Sequence, residues 1–216
     1  MDDHVRPIFD SAALITIDVQ IDVLDGGPLS FASPATVMPN LHQIVCAFRA
    51  AQRPIVHAVR IYRPDGSNVD LCRRTSIESG DQVLLADTAG CELADDLKPD
   101  ASVHLDCAHL LAGGLQTLAS GEVVMYKPRW SAFFGTPLLE HLQASSVSTV
   151  VVIGCNYPNC PRTTIYEASE RDLRIVAVSD AISRFDTRAA QELADIGVAV
   201  MTAEEVIGRV RDLESR

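Results

Sequence analysis

The 216-residue sequence has no apolar run near the roughly 18 residues needed to span a bilayer and no low-complexity tract. It also has no basic excess. Lys and Arg number 18 against 29 Asp and Glu, a net charge of −11 spread along the chain. Nucleic-acid and anionic-membrane binders need a basic face, so neither class is expected. The opening MDDHVRPIFD has neither the charged-then-apolar pattern of a secretory signal nor the character of a transit peptide, and the chain reads as cytoplasmic. No C-x-x-C pair occurs among Cys46, Cys72, Cys91, Cys107, Cys155 and Cys160, which removes the commonest zinc and thioredoxin-like patterns. A chain of this length builds its own core, so reduced thiols are expected rather than a disulfide framework. Most of them read as small core hydrophobes, with Cys46 in HQIVCAFRAA as the example.

What is present is an alternation. Short runs rich in Val, Ile and Leu fall at 12–17, 54–61, 122–127, 147–154 and 173–179, with an edge candidate at 198–202. Such near-continuous apolar runs suit parallel strands covered on both faces. Helical patterns occupy about 36–52, 136–145, 161–171, 187–196 and 203–213. Strand–helix alternation predicts an α/β fold: one domain over 1–216, a doubly wound parallel sheet of about six strands with helices on both faces. An insertion at about 62–121, rich in Asp, Gly and Pro, interrupts the pattern and holds a short helix near 107–118. Insertions of this length serve as lids or interface elements.

In open α/β sheets ligands bind beyond the carboxyl ends of the strands. LITID ends in Asp18, VVMYK ends in Lys127, and VVVIGC leads through NYPN to Cys160. Each alone is an ordinary solvated residue or a mediocre cap; together they put an acid, an amine and a thiol on one edge. Pro161 fits the first turn of a helix, and Glu167–Arg171 and Glu170–Arg174 are spaced as i,i+4 pairs. Cys160 is then the predicted N-cap, where the helix dipole and the nearby lysine lower a thiol pKa. Cys155 and Cys160, spaced C-x4-C, also form a conceivable redox pair, disfavoured by the apolar setting of Cys155.

These residues resemble the isochorismatase-like cysteine hydrolases, which include nicotinamidases, N-carbamoylsarcosine amidases and ureidoacrylate amidohydrolases. Asp18 and Gln20 in LITIDVQIDV are similar to the family's strand-Asp-x-Gln opening. Lys127, Ser131, Ala132, Phe133, Thr136 and Leu138 are similar to its Lys-x-x-x-Ser-Ala-Phe-x-x-Thr-x-Leu segment. Gly154, Cys160, Thr164 and Ala168 are similar to its Gly–loop–Cys–helix signature, followed by Asp180 and Ala181. The chain departs from the family at Tyr157, usually Thr, and at Pro161, usually Val or Ile.

The resemblance implies a hydrolase of a small non-peptide C–N bond acting through a thioester. Asp18 is the implied base, Lys127 the charge that orients it, and Cys160 the nucleophile. The backbone of Asn156 and Cys160 is the implied oxyanion hole, with a cis peptide between Cys155 and Asn156. Trp130, Phe133 and Tyr157 are candidate pocket walls, with simple packing an equal reading for Phe133, and Gln20, Arg60 and Tyr62 are candidate substrate contacts. Read from the residues, Arg60, Tyr62 and Arg63 in RIYRPDGSN form either a carboxylate-recognition site or a solvated turn around Asp65-Gly66. The Asp-x-His zinc pattern of nicotinamidases is missing; His57 stands alone as a structural histidine. No metal or cofactor is expected. The expected partners are a small-molecule substrate and further copies of the chain in a homodimer or homotetramer. The alternatives are an isochorismatase-type vinyl-ether hydrolase, against which Cys160 argues, and a silent member acting as a binding protein.

Overall fold

The computed structural model describes residues 2–24, 26–29 and 34–213. The first strand, β1 (Ala12–Ile17), is buried along its whole length. It is followed by α1 (Pro34–Ala50) and β2 (Ile55–Val59). Next come α2 (Leu71–Glu78), α3 (Cys107–Leu111), β3 (Leu115–Ala119) and β4 (Glu122–Tyr126). The chain continues through α4 (Leu138–Ala144), β5 (Thr149–Gly154), α5 (Cys160–Ser169) and β6 (Arg174–Ile182). It closes with α6 (Thr187–Asp195), β7 (Ala199–Met201) and α7 (Ala203–Arg211).

The seven strands run in the order β3-β4-β2-β1-β5-β6-β7. All neighbours are parallel except β3, which runs antiparallel to β4. The strands bury both faces. On one face Ile15, Ile17, Val56, Met125, Val150 and Val152 pack against Leu138, Leu142, Ile165 and Leu193 of α4, α5 and α6. On the other, Leu14, Ile55, Val151 and Val176 meet Leu41, Ile44, Phe48, Val206 and Val210 of α1 and α7. Each fully buried aliphatic side chain contributes about 1.5–3 kcal/mol, which is why continuous apolar runs become central strands here. Helix starts are fixed locally. Asp186 accepts from Ala189 N–H at 2.8 Å ahead of α6, and Thr202 with Glu205 forms a capping box ahead of α7.

The doubly wound sheet is the expected one, with a seventh strand added. That strand comes from the segment expected to be helical to 118. Helix α3 stops at Leu111, Gly113 takes φ +90, and the chain returns as β3. Glu167 and Arg171 form the expected pair at 2.9 Å. Glu170 and Arg174 do not, because α5 ends at Ser169 and Arg174 already begins β6. Cys46, expected in the core, is exposed on α1 with its sulfur 3.5 Å from His42 Nε2. No described helix is long and apolar enough to cross a membrane.

Candidate active site

Four adjacent parallel strands each end in a residue that faces one spot. In sheet order these ends are Lys127 after β4, Arg60 after β2, Asp18 after β1 and the loop to Cys160 after β5. The strand ladder sets their height: Asp18 N–H donates to Ala58 O at 3.0 Å, Lys127 N–H to Val59 O at 2.9 Å and Cys155 N–H to Ile17 O at 2.8 Å. Asp18 itself sits at φ +51, a left-handed conformation uncommon for a non-glycine residue. Gly154 ends β5 directly opposite Ile17 at φ +121, and a Cβ there would fall 2.3 Å from Ile17 O. Only glycine lets the two strands close at this point.

Lys127 Nζ lies 2.9 Å from Asp18 Oδ2, and the lysine side chain is completely buried. Asp18 Oδ1 has no hydrogen-bond partner among the described residues. Asp18 and Cys160 line the same cavity, together with Arg60, Tyr62, Cys155, Asn156 and Asn159. The cavity is about 20 Å³, room for about one water. Arg60 Nη1 donates to Asp70 Oδ1 at 2.9 Å and to Pro128 O at 2.8 Å, and Tyr62 Oη donates to Asp70 Oδ2 at 2.9 Å. Burial opposes the charge on Arg60, but Asp18, Tyr62 and Asp70 outweigh it and hold the guanidinium firmly protonated. Burial, with Asp70 beside it, pushes the Tyr62 phenol up.

The thiol departs from expectation. Burial pushes Cys160 up to about 11, and the Asp18 carboxylate adds to the rise; Lys127 and Arg60 only partly offset them. Desolvation of the thiolate therefore outweighs the helix start, and the resting group is a thiol rather than the expected thiolate. Cys160 is also one position further along than expected: Asn159 is the cap, Cys160 the first helical residue and Pro161 follows it. The 155–156 peptide is trans, as are all described peptide bonds, correcting the expected cis bond; the turn out of β5 is made instead at Gly154. Neither Asn156 N–H nor Cys160 N–H donates to an acceptor among the described residues. The Asn156 side-chain Nδ2 is also buried without a partner.

The other expected contacts divide. Arg60 and Tyr62 line the cavity. Gln20 is fully buried beneath it and brackets Arg60: its Oε1 accepts from Arg60 N–H at 2.8 Å and its Nε2 donates to Arg60 O at 2.8 Å. Phe133 packs in the core with Arg171 4.9 Å over its ring. Tyr157 lies edge-on to Phe185, centroids 4.9 Å apart. Trp130 lines a separate outer groove with Leu71 and Phe134. Asp180 accepts from Ala203 N–H at 2.7 Å and so supports α7. Thr164 accepts from Ala132 N–H at 3.0 Å and donates to Cys160 O at 2.8 Å, tying the loop after Lys127 to α5. Asp70, which holds Arg60 and Tyr62 together, was not legible from sequence. Nothing in NVDLC marks it, since its partners lie eight and ten positions back.

The acid, amine and thiol gather beyond the carboxyl edge of a doubly wound sheet, where such folds bind ligands. The isochorismatase domain model matches residues 12–205, and the chain belongs to that family. It is 28% identical to a probable inactive nicotinamidase of Arabidopsis thaliana, over 90% of this chain and 94% of that protein. It is 27% identical to an N-carbamoylsarcosine amidase of an Arthrobacter species, over 73% of this chain and 53% of the relative. A cysteine hydrolase from Pseudomonas syringae pv. phaseolicola 1448A superposes with a TM-score of 0.77 at 26% identity, covering 97% of each chain.

Proposed function

We propose that the chain is a cysteine-dependent hydrolase of a small non-peptide C–N bond, amide, carbamoyl or ureido, releasing ammonia or an amine. The observation that carries this reading is the Asp18 carboxylate. One oxygen is anchored on Lys127 at 2.9 Å, and the other is unpartnered in a residue sharing its cavity with Cys160. A base held in place on one side and idle on the other is equipped to take a proton.

In the proposed reaction Asp18 removes the Cys160 proton as Sγ attacks the carbonyl carbon. The raised thiol pKa suits this, because the proton is present to be taken and the charge forms only during attack. The developing oxyanion is received by the N–H groups of Asn156 and Cys160. Asp18 returns the proton to the departing nitrogen, leaving a thioester on Cys160. Water, deprotonated by the same carboxylate, then releases the acid. Lys127 holds Asp18 in register throughout. The N-carbamoylsarcosine amidase among the relatives supports the bond type. The relative named as an inactive nicotinamidase gives a second reading, a silent member that only binds; the complete Asp18–Lys127–Cys160 set argues against it.

The test is ammonia release from a panel of small amides, carbamoyl compounds and ureido acids, followed by intact-protein mass spectrometry on any substrate found. A transient acyl adduct on Cys160 is expected. Turnover that continues after complete alkylation of Cys160 would overturn the mechanism, and a panel with no turnover would favour the binding reading.

A further inference from the structure

Two cysteines outside the hydrolytic site lie against each other. Cys91 ends the short turn Ala89–Cys91 and Cys107 opens α3, and their sulfurs are 3.6 Å apart. An S–S bond is about 2.05 Å, so the pair needs to close by roughly 1.5 Å. The two are not equivalent. Cys91 donates from sulfur to Thr88 O at 3.2 Å, whereas Cys107 Sγ accepts from Asp87 N–H at 3.4 Å. The contact with Cys91 holds the Cys107 thiol below its ordinary pKa, and the same contact, with burial, pushes Cys91 up. Cys91 is fully buried and Cys107 is 2% exposed, but Cys107 is among the residues lining a surface groove with Arg63, Asp65, Ala86 and Asp87. The groove brings a small oxidant closest to Cys107, with the Cys91 sulfur 3.6 Å from it.

We propose that Cys91 and Cys107 are a site of reversible oxidation, joined as a disulfide by hydrogen peroxide. The Cys107 thiolate attacks one peroxide oxygen; the O–O bond breaks, and the departing hydroxide takes up a proton to leave as water. Cys107 is then a sulfenic acid. Cys91 Sγ attacks Cys107 Sγ, the S–O bond breaks, and the oxygen leaves as a second water carrying the Cys91 proton. Two thiols lose two electrons and one peroxide becomes two waters. The link closes across residues 91–107 and draws on the Cys91 backbone, whose carbonyl accepts from Gln20 Nε2 at 2.6 Å. Gln20 is also the clamp on Arg60, so oxidation bears on the floor of the cavity.

The experiment treats the full-length protein with a few equivalents of hydrogen peroxide, alkylates the remaining thiols, digests without reductant and maps peptides by mass. A Cys91–Cys107-linked peptide is expected, with about 2 Da lost from the intact chain and both changes reversed by dithiothreitol. In Cys91→Ser the link disappears and Cys107 is trapped by dimedone as the sulfenic acid. Where Cys91→Ser fails to fold, Cys107→Ser serves, and Cys91 should then stay reduced. Recovery of both residues as alkylated thiols after the exposed Cys46 and Cys72 have oxidised would overturn the proposal. So would a link from Cys107 to any other cysteine. The readout is mass alone and does not depend on hydrolysis.

Discussion

Two buried acids of the same sheet are used in opposite ways. Glu122, at the first position of β4, spends both oxygens: Oε1 meets Arg49 Nη2 at 2.7 Å and His57 Nε2 at 2.8 Å, and Oε2 accepts from Arg49 Nε at 2.8 Å. The chain of contacts ends at Thr16, 2.8 Å from His57 Nδ1. Asp18, past the other end of the strands, is nearly as buried, at 7% exposure against 1%, yet leaves Oδ1 unpartnered. Burial does not separate the two acids; hydrogen-bond satisfaction does. An unpaired buried oxygen costs about 1–3 kcal/mol, and at Asp18 that oxygen belongs to a residue that lines the cavity.

The comparison is broken most directly at the sulfur. Cys160→Ala should lower ammonia release by about 10⁴-fold or more, with Asp18→Asn and Lys127→Ala each losing orders of magnitude. Near-normal rates in Cys160→Ala would end the nucleophile assignment. The opposite acid should fail differently. Glu122→Ala strands Arg49 and His57, and urea unfolding should show a loss of about 3–5 kcal/mol, far more than Asp18→Asn shows.

Acid titration sharpens the same contrast. Burial would raise the Glu122 carboxyl, but its bonds to Arg49 and His57 hold it at about 2 against an ordinary 4.5. A depressed carboxyl contributes its full share above pH 4.5 and loses it as pH falls towards 2. A difference of this size corresponds to roughly 3 kcal/mol. Stability of wild type and Glu122→Gln should converge across that window; parallel curves would refute the assignment. At the cavity, iodoacetamide should label Cys160 slowly at neutral pH and faster as pH rises towards 11. Because Asp18 raises the thiol pKa, Asp18→Asn should label faster than wild type at pH 7 while turning over more slowly. Slower labelling would mean that Asp18 does not face the sulfur. The smallest effect is expected at the partly exposed Glu167–Arg171 pair, where Glu167→Ala should cost about 0.5 kcal/mol or less in a thermal melt.

The central strands were legible because their apolar runs are dictated by burial on both faces, and Asp18 and Lys127 because a charge closing such a run is conspicuous. Bounds moved by only a few residues: β2 was read as 54–61 and is Ile55–Val59. What the sequence hid depends on partners remote in the chain. β3 has four half-buried residues around the exposed Thr117 and no clean alternation, so its strand character comes from pairing with β4. The thiol pKa was misjudged because local capping is visible in sequence, whereas burial and the approach of Asp18 are not. Cys46 was misplaced by one helical step: its neighbours Ile44, Val45 and Phe48 are buried and it is not. Trp130 stands near Lys127 in sequence, but its chain turns outward before the cavity.

The order of strands also decides which strand edges lie at the borders of the sheet. The six-residue strands β1 and β5, buried along their whole length, occupy the middle of the sheet, each paired on both sides. The borders are poor templates for adding a strand: β7 offers three residues, and β3 carries a register shift between Thr117 and Ala119. Short or irregular borders resist edge-to-edge pairing. The extra antiparallel strand that sequence reading missed therefore covers the edge of β4, the strand leading into Lys127, and keeps it from edge-to-edge pairing.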